Sequence, residues 1–221
     1  VPPASPQDVL GRIAAPDRAE VVRATARITI TSSDGTYSRK MALLFQMPSH
    51  LRLEAIPLFG PADFFLSANE QSFKVFFPGE GKMYVGTPTR ENLFLFFRIY
   101  IPPSDVIPLL CGIPPQMVNG SYSGFTEGGV YRIGHRREGD KERFLWIDLE
   151  THTLMKIEQY RDSVLLWRMQ FSGHAVVGEI SLPRRIQIEV TEPEKVEIEI
   201  RYLELDIVPS SRDMALFDLR V

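Results

Sequence analysis

Covalent or acid–base chemistry in this 221-residue chain would have to come from four histidines, one cysteine, a glycine-flanked serine stretch and a few paired carboxylates. His50, His135, His152 and His174 are scattered, each beside an expected turn or strand end. None stands at metal-ligand spacing from another His, Cys or carboxylate. Cys111 is alone, which excludes a disulfide framework within the chain and a cysteine metal cluster. In "VIPLLCGIPP" it reads as a small apolar filler. "GSYSG" at Gly120–Gly124 resembles a nucleophile elbow until its centre is read, because Tyr122 stands where serine would be needed. It is expected to be a loop. "GEGKMYVG" has glycines and a lysine but no phosphate-loop spacing, and reads as a hairpin turn with Lys82 opening a strand. Glu197 and Glu199 alternate with apolar residues and are the wet face of a strand. No constellation for catalysis remains, so the chain is expected not to be an enzyme and to need no cofactor or metal.

The residue types in excess are apolar. Of the 14 phenylalanines, Phe45, Phe59, Phe64, Phe65, Phe73, Phe76, Phe77, Phe94, Phe96 and Phe97 all fall between residues 45 and 97. Adjacent residues of a strand point to opposite faces, so Phe64-Phe65 and Phe76-Phe77 place rings on both faces of one sheet. Two readings remain open: a dense core, or a pocket for a long apolar ligand. Leu58 and Phe59 raise a second question. They occupy a Gly/Pro-rich connection, "IPLFGP", where turn geometry accounts for Gly60, Pro57 and Pro61 but not for two large apolar side chains. They either fold back into the core or reach out to something apolar.

The elements that must position these residues are mostly strands. Ser5 and Pro6 open a short helical signal within residues 6–26, with Val9, Leu10 and Ile13 on one face. From Arg23 onward, period-2 alternation dominates. It is clearest in "EKVEIEIRYLEL", where Val196, Ile198, Ile200 and Tyr202 oppose Glu197, Glu199 and Arg201. Short turn signals between such runs, among them Ser33-Asp34-Gly35 and Pro78-Gly79-Glu80-Gly81, predict an antiparallel meander. Residues 87–119 break the alternation. Thr89 is expected to cap a helix carrying Leu93, Phe94, Phe96, Phe97 and Tyr100. Ser104 is expected to cap a second, with Val106, Ile107, Leu109 and Leu110, and Pro108 fits there only in the first turn. The fold class is therefore mainly β with a helical lid (α+β). A strongly curved antiparallel sheet would form an open, incomplete barrel covered by three short helices. One domain is expected over residues 1–221, with 1–5 a tether and 87–119 a lid insertion.

Net charge is −3, which gives a nucleic-acid partner no electrostatic support. The longest apolar clusters are broken by Pro, Asp or Arg and fall short of the about 20 residues needed to span a bilayer. "VPPASPQDVL" carries no apolar leader and reads as a mature or trimmed amino terminus.

The order of motifs resembles the LolA/LolB-like lipoprotein-localisation family. "FQMPSHLRLEAIPLFGPADFFLSA" is similar to that family's strand–Pro–"LRLE"–"PLG"–strand element, and "FFPGEGKMYVG" to the strand pair that follows. "IPPSDVIPLLCGIPP" resembles its second lid helix, and "FLWIDLETHTLMKIEQY" one of its hairpins. The resemblance covers about residues 5–208 and leans to the outer-membrane receptor side, whose exposed tip leucine corresponds to Leu58. Phe59 is an extra residue relative to that tip, and the arginine that latches the lid of the soluble carrier has no clear counterpart.

The resemblance implies an apolar hollow that takes lipid or lipoprotein acyl chains and delivers them, without catalysis, to the inner leaflet of the outer membrane. A periplasmic carrier protein would be a further partner. It also implies a periplasmic location, with attachment through a lipid upstream of Val1. Expected cavity residues are Leu43, Phe45, Leu53, Phe64, Leu66, Phe73, Phe94, Phe97, Val106 and Leu110, with Leu58 and Phe59 as the membrane-contact loop. The alternative is a structural or assembly factor whose groove holds a protein partner at the cell envelope.

Overall fold

A computed structural model describes residues 5–97, 99–117, 119–137, 141–210 and 217, with the side chains of Phe96 and Phe97 outside that description. Among the described residues, fifteen strands and three short α-helices follow one another along the chain. Helix α1 (Pro6–Leu10) precedes β1 (Glu20–Ser32), β2 (Gly35–Gln46), β3 (His50–Ile56), β4 (Phe65–Ala68), β5 (Phe73–Phe77) and β6 (Lys82–Gly86). Helices α2 (Arg90–Phe97) and α3 (Pro103–Leu110) interrupt the strands. Then come β7 (Ser121–Glu127), β8 (Val130–Arg137), β9 (Lys141–Asp148), β10 (Thr153–Arg161), β11 (Val164–Ser172), β12 (Ala175–Val177), β13 (Ile180–Leu182), β14 (Arg185–Val190) and β15 (Val196–Pro209). Thirteen strands form one sheet in the order β6-β5-β4-β3-β2-β1-β15-β14-β11-β10-β9-β8-β7, and β12 and β13 pair separately. Strands β6 and β7 are the two ends of that order, so the sheet is open. The fold is mainly β with three short helices, as the alternation and the 87–119 interruption imply.

Three local expectations are corrected. The amino-terminal helix is a single capped turn. Ser5 accepts from the Asp8 amide while the Asp8 carboxylate accepts from the Ser5 amide, a reciprocal cap that Gly11 ends after Leu10. Strand pairing begins already at Glu20 and claims residues that a longer helix would have used. "GSYSG" is not a loop but the start of β7, an edge strand: Gly124 is needed there because Tyr131 lies across it, where a Cβ would come within 2.4 Å of the phenol oxygen. Strands β12 and β13 were not expected at all; three residues each is too short for a periodicity to register.

The chain divides into two compact units. One gathers Val1–Ala15, Ile30–Thr36 and Leu109–Glu199; the other gathers Pro16–Thr29, Tyr37–Pro108 and Ile200–Val221. In the first, Ile133, Leu145, Ile147, Leu154 and Ile157 are fully buried on one face of β8–β10. The opposite face carries rings and cations. Arg132 lies 4.8 Å from the Phe144 ring centroid and 5.0 Å from that of Trp146, and Lys156 Nζ sits 3.5 Å above Trp146. Beside them Glu158 accepts from Arg168 Nε at 2.7 Å and from the Tyr160 hydroxyl at 3.0 Å.

In the second unit, antiparallel registers stack the buried residues in rows across β2–β5. One row runs Phe45, Leu51, Ala68, Phe73 and the next Leu43, Leu53, Leu66, Val75. All eight are buried. Each large member contributes roughly 1.5–3 kcal/mol by leaving water. On the other face, Phe217 is buried: its ring lies 5.4 Å from His50 and its carbonyl accepts from Ser67 Oγ.

Candidate functional site

A cavity of about 270 Å³ lies within the second unit, at the end of the sheet formed by the β2–β3 and β4–β5 turns. Its walls are Pro48 and Ser49 from the first turn, Leu51 from β3, and Ala68, Asn69 and Glu70 from β4 and the second turn. Pro88 just before α2, Leu93 of α2, and Pro103, Ser104, Val106 and Ile107 of α3 complete it. Lid helices and sheet end thus meet around a mainly apolar space.

Local chemistry explains why the two helices stand there. The Asn92 amide donates to Thr89 Oγ1 at 3.2 Å, so Thr89 caps α2 as its sequence position implies. Tyr100, expected inside that helix, lies beyond its end at Phe97 and stacks on Phe94 at 4.5 Å. Ser104 does not cap α3. The helix starts one residue earlier, with the Asp105 amide donating to the Pro102 carbonyl at 2.9 Å, and Ser104 Oγ bonds Asp105 Oδ1 at 3.2 Å. Proline is favoured at a first helical position, and Pro103 takes it. Pro108 is consequently the sixth residue and not in the first turn. It cannot donate back to the Ser104 carbonyl, which weakens α3 from within by as much as about 3 kcal/mol. Gly112, at φ +66, closes the lid segment.

The sequence-selected residues fall into groups. Val106 lines the cavity directly. Phe45 and Phe73 share the row of Leu51 and Ala68, which do line it, while Leu43, Leu53 and Leu66 form the row behind. Phe64 is half-buried at the far end of the same face, its ring 5.5 Å from Phe77. Phe94 is half-buried in α2, and Leu110, also half-buried, ends α3. The side chain of Phe97 lies outside the described residues. Sequence reasoning missed Leu93, Ile107 and the three prolines Pro48, Pro88 and Pro103. Prolines at element boundaries read as punctuation, and only the pairing of distant segments turns them into wall.

Leu58 and Phe59 do not fold back. They are 94% and 92% exposed, against 38% for Ile56 just before them. Arg39 Nη1 binds Asp63 Oδ2 at 2.5 Å across the base of their loop.

The polar groups in the cavity wall are Ser49, Asn69, Glu70 and Ser104. No histidine or cysteine lines it. Asn69 Oδ1 is taken by the Gln71 and Ser72 amides at 2.8 Å each. Cys111 is buried, and burial pushes its thiol up to about 12, so it stays protonated at neutral pH. His135 and His174 are pushed below the ordinary imidazole range by burial. His135 Nε2 lies 3.2 Å from the Asn119 carbonyl, and His174 Nε2 is buried with no partner among the described residues. Among the described residues no group of three or more His, Cys, Asp or Glu could hold a metal ion, and no helix is long and apolar enough to cross a membrane.

No family model matches the sequence, and no curated protein matches it. Solved structures do. A LolA superfamily protein from Nitrosomonas europaea superposes with a TM-score of 0.65 at 12% identity, over 98% of this chain and 99% of that one. A candidate outer membrane lipoprotein-sorting protein domain from Vibrio parahaemolyticus gives 0.64 at 12% identity over 94% and 92%. A DUF1329 family protein from Desulfovibrio piger gives 0.63 at 14% identity over 96% and 97%. At such identities the likeness is one of fold. The chain has the LolA/LolB-like fold, an open antiparallel sheet with a helical lid.

Proposed function

We propose that this protein binds lipid or lipoprotein acyl chains in the cavity under α2 and α3 and delivers them to the outer membrane, without a covalent step. The observation that carries the reading is the cavity: a largely apolar space between a sheet end and the helices α2 and α3. Its size says how it works. Ligand pockets usually hold about 300–1,000 Å³, so a space of about 270 Å³ takes part of a chain. Raising α3, already weakened at Pro108, opens the rows Phe45–Leu51–Ala68–Phe73 and Leu43–Leu53–Leu66–Val75 as the floor for the rest. Phe64, Phe94, Phe97, Val106 and Leu110 complete the apolar lining on this reading.

Leu58 and Phe59 are the membrane-touching pair, which favours the receptor side of the fold family over the soluble carrier. Two such side chains supply roughly 3–6 kcal/mol when buried, a reversible grip and not an anchor. Cargo would arrive from a periplasmic carrier, and the site of action would be the periplasmic face of the outer membrane.

Titration with a fluorescent long-chain fatty acid tests the cavity. Saturable binding at one chain per protein, competed by unlabelled fatty acid, is the expected result. Absence of binding, together with a stoichiometric protein partner after native purification, would replace this reading with that of an assembly factor.

A further inference from the structure

Antiparallel topology fixes which connections share an end of the second unit's sheet. The β3–β4 loop and the β5–β6 turn leave by one end; the cavity's two turns leave by the other. The β3–β4 loop carries Leu58 and Phe59, and the β5–β6 turn is Pro78–Glu80 with Gly81. Rings tie the two tips together on both faces: Phe64 meets Phe77 edge-on at 5.5 Å, and Phe65 stacks against Phe76 at 6.3 Å. Behind the second tip, Met83 and Tyr84 are 40% and 49% exposed. The charges at these tips are paired. Arg39 holds Asp63 at 2.5 Å, and Lys82 holds Glu80 at 2.7 Å. Lys40, opposite Ile56 at the base of the loop, has no ion pair among the described residues.

We infer that the membrane contact is a two-tip footprint, in which the β5–β6 turn enters the lipid interface beside the Leu58–Phe59 loop, and that this footprint recognises a zwitterionic lipid surface through apolar contact and not through charge. The inference rests on the membrane reading of Leu58 and Phe59 and adds a second contact and a lipid class. Two aromatic-coupled tips present a rigid edge, so whatever seats Phe59 brings Gly79 to the same depth. The internal pairing of Arg39 and Lys82 leaves little net charge to attract anionic lipid, about fivefold in affinity for one unpaired lysine.

Tryptophan scanning separates the claims. A Cβ at Gly79 meets nothing within 4 Å, so Gly79→Trp is accommodated, and Phe59→Trp replaces one exposed ring by another. Each variant is mixed with vesicles of phosphatidylcholine alone and of phosphatidylcholine with phosphatidylglycerol, at low and physiological salt. Both reporters are expected to shift to the blue on both vesicles, with affinities within about fivefold of each other. A shift at Phe59→Trp without one at Gly79→Trp overturns the second tip and leaves the loop reading standing. Shifts confined to anionic vesicles overturn the lipid class. No shift at either position overturns the membrane reading itself and leaves a protein surface as the partner of the loop.

Discussion

Leu51 and Leu58 stand at opposite ends of β3: Leu51 lines the cavity, and Leu58 lies beyond the other end with 94% of its surface exposed. Five residue steps along the strand lead from Leu51 to Ile56, about 17 Å at the usual rise. The loop is therefore not the mouth of the cavity. On the proposed function, holding a chain and touching a surface would fall to different ends of one sheet, so that each should be removable without the other.

The first prediction follows from that separation. Replacing Leu58 and Phe59 together by Glu should abolish vesicle association while leaving fatty-acid affinity within about twofold. Fully exposed side chains have no native contacts to lose, so stability should change by less than about 0.5 kcal/mol per site. Flotation, fluorescence titration and thermal melting read the three quantities.

Filling the cavity should do the reverse. Val106→Trp places a ring where the closed space is, and fatty-acid affinity should fall at least about tenfold, with vesicle association unchanged. Unaltered affinity would place the chain elsewhere in the protein.

Acid stability should fall in two stages, both with the same sign. His135 and His174 titrate in the folded protein below the ordinary value of 6.5, because burial disfavours their charged forms. Their contribution is complete above 6.5 and declines as pH falls from there, since the unfolded chain takes up the protons. Burial would raise the Glu158 carboxyl, but Arg168, Tyr160 and Lys156 outweigh it and hold the group below 4.5. Its contribution is complete above 4.5 and is lost as pH drops toward the folded value. Denaturant melts across pH should show His135→Gln with His174→Gln flattening the upper stage, and Glu158→Gln flattening the lower.

Gly120→Ala should destabilise by more than about 2 kcal/mol. The residue sits at φ +136, and an added Cβ would come within 2.3 Å of the Arg136 carbonyl oxygen and 2.7 Å of His135 Nε2. Chemical denaturation of the variant checks it.

Strand register was legible in the sequence wherever one face is wet. Val196, Ile198, Ile200 and Tyr202 are buried as their alternation predicts. Strand β7 was not, because an edge strand reading "SYSGFTE" buries little and its glycine is set by Tyr131 on the neighbouring strand. The lid helices were visible from Thr89 and from the apolar run, but Pro103 took over the start that Ser104 suggested. The cavity walls were least legible: Pro48, Pro88 and Pro103 come together only through pairing between segments far apart in the chain. Whether Leu58 and Phe59 face inward or outward also lay beyond the sequence, because apolar residues on a loop can do either until the base of the loop, here Arg39 with Asp63, is fixed.

Native mass spectrometry of the protein purified from its own membrane, compared with the Val106→Trp variant, shows whether the lidded space holds an acyl chain. One added lipid mass is expected, released on denaturation and missing or sharply reduced in the variant. A wild-type protein that carries no lipid and gains none on incubation with fatty acid would contradict it.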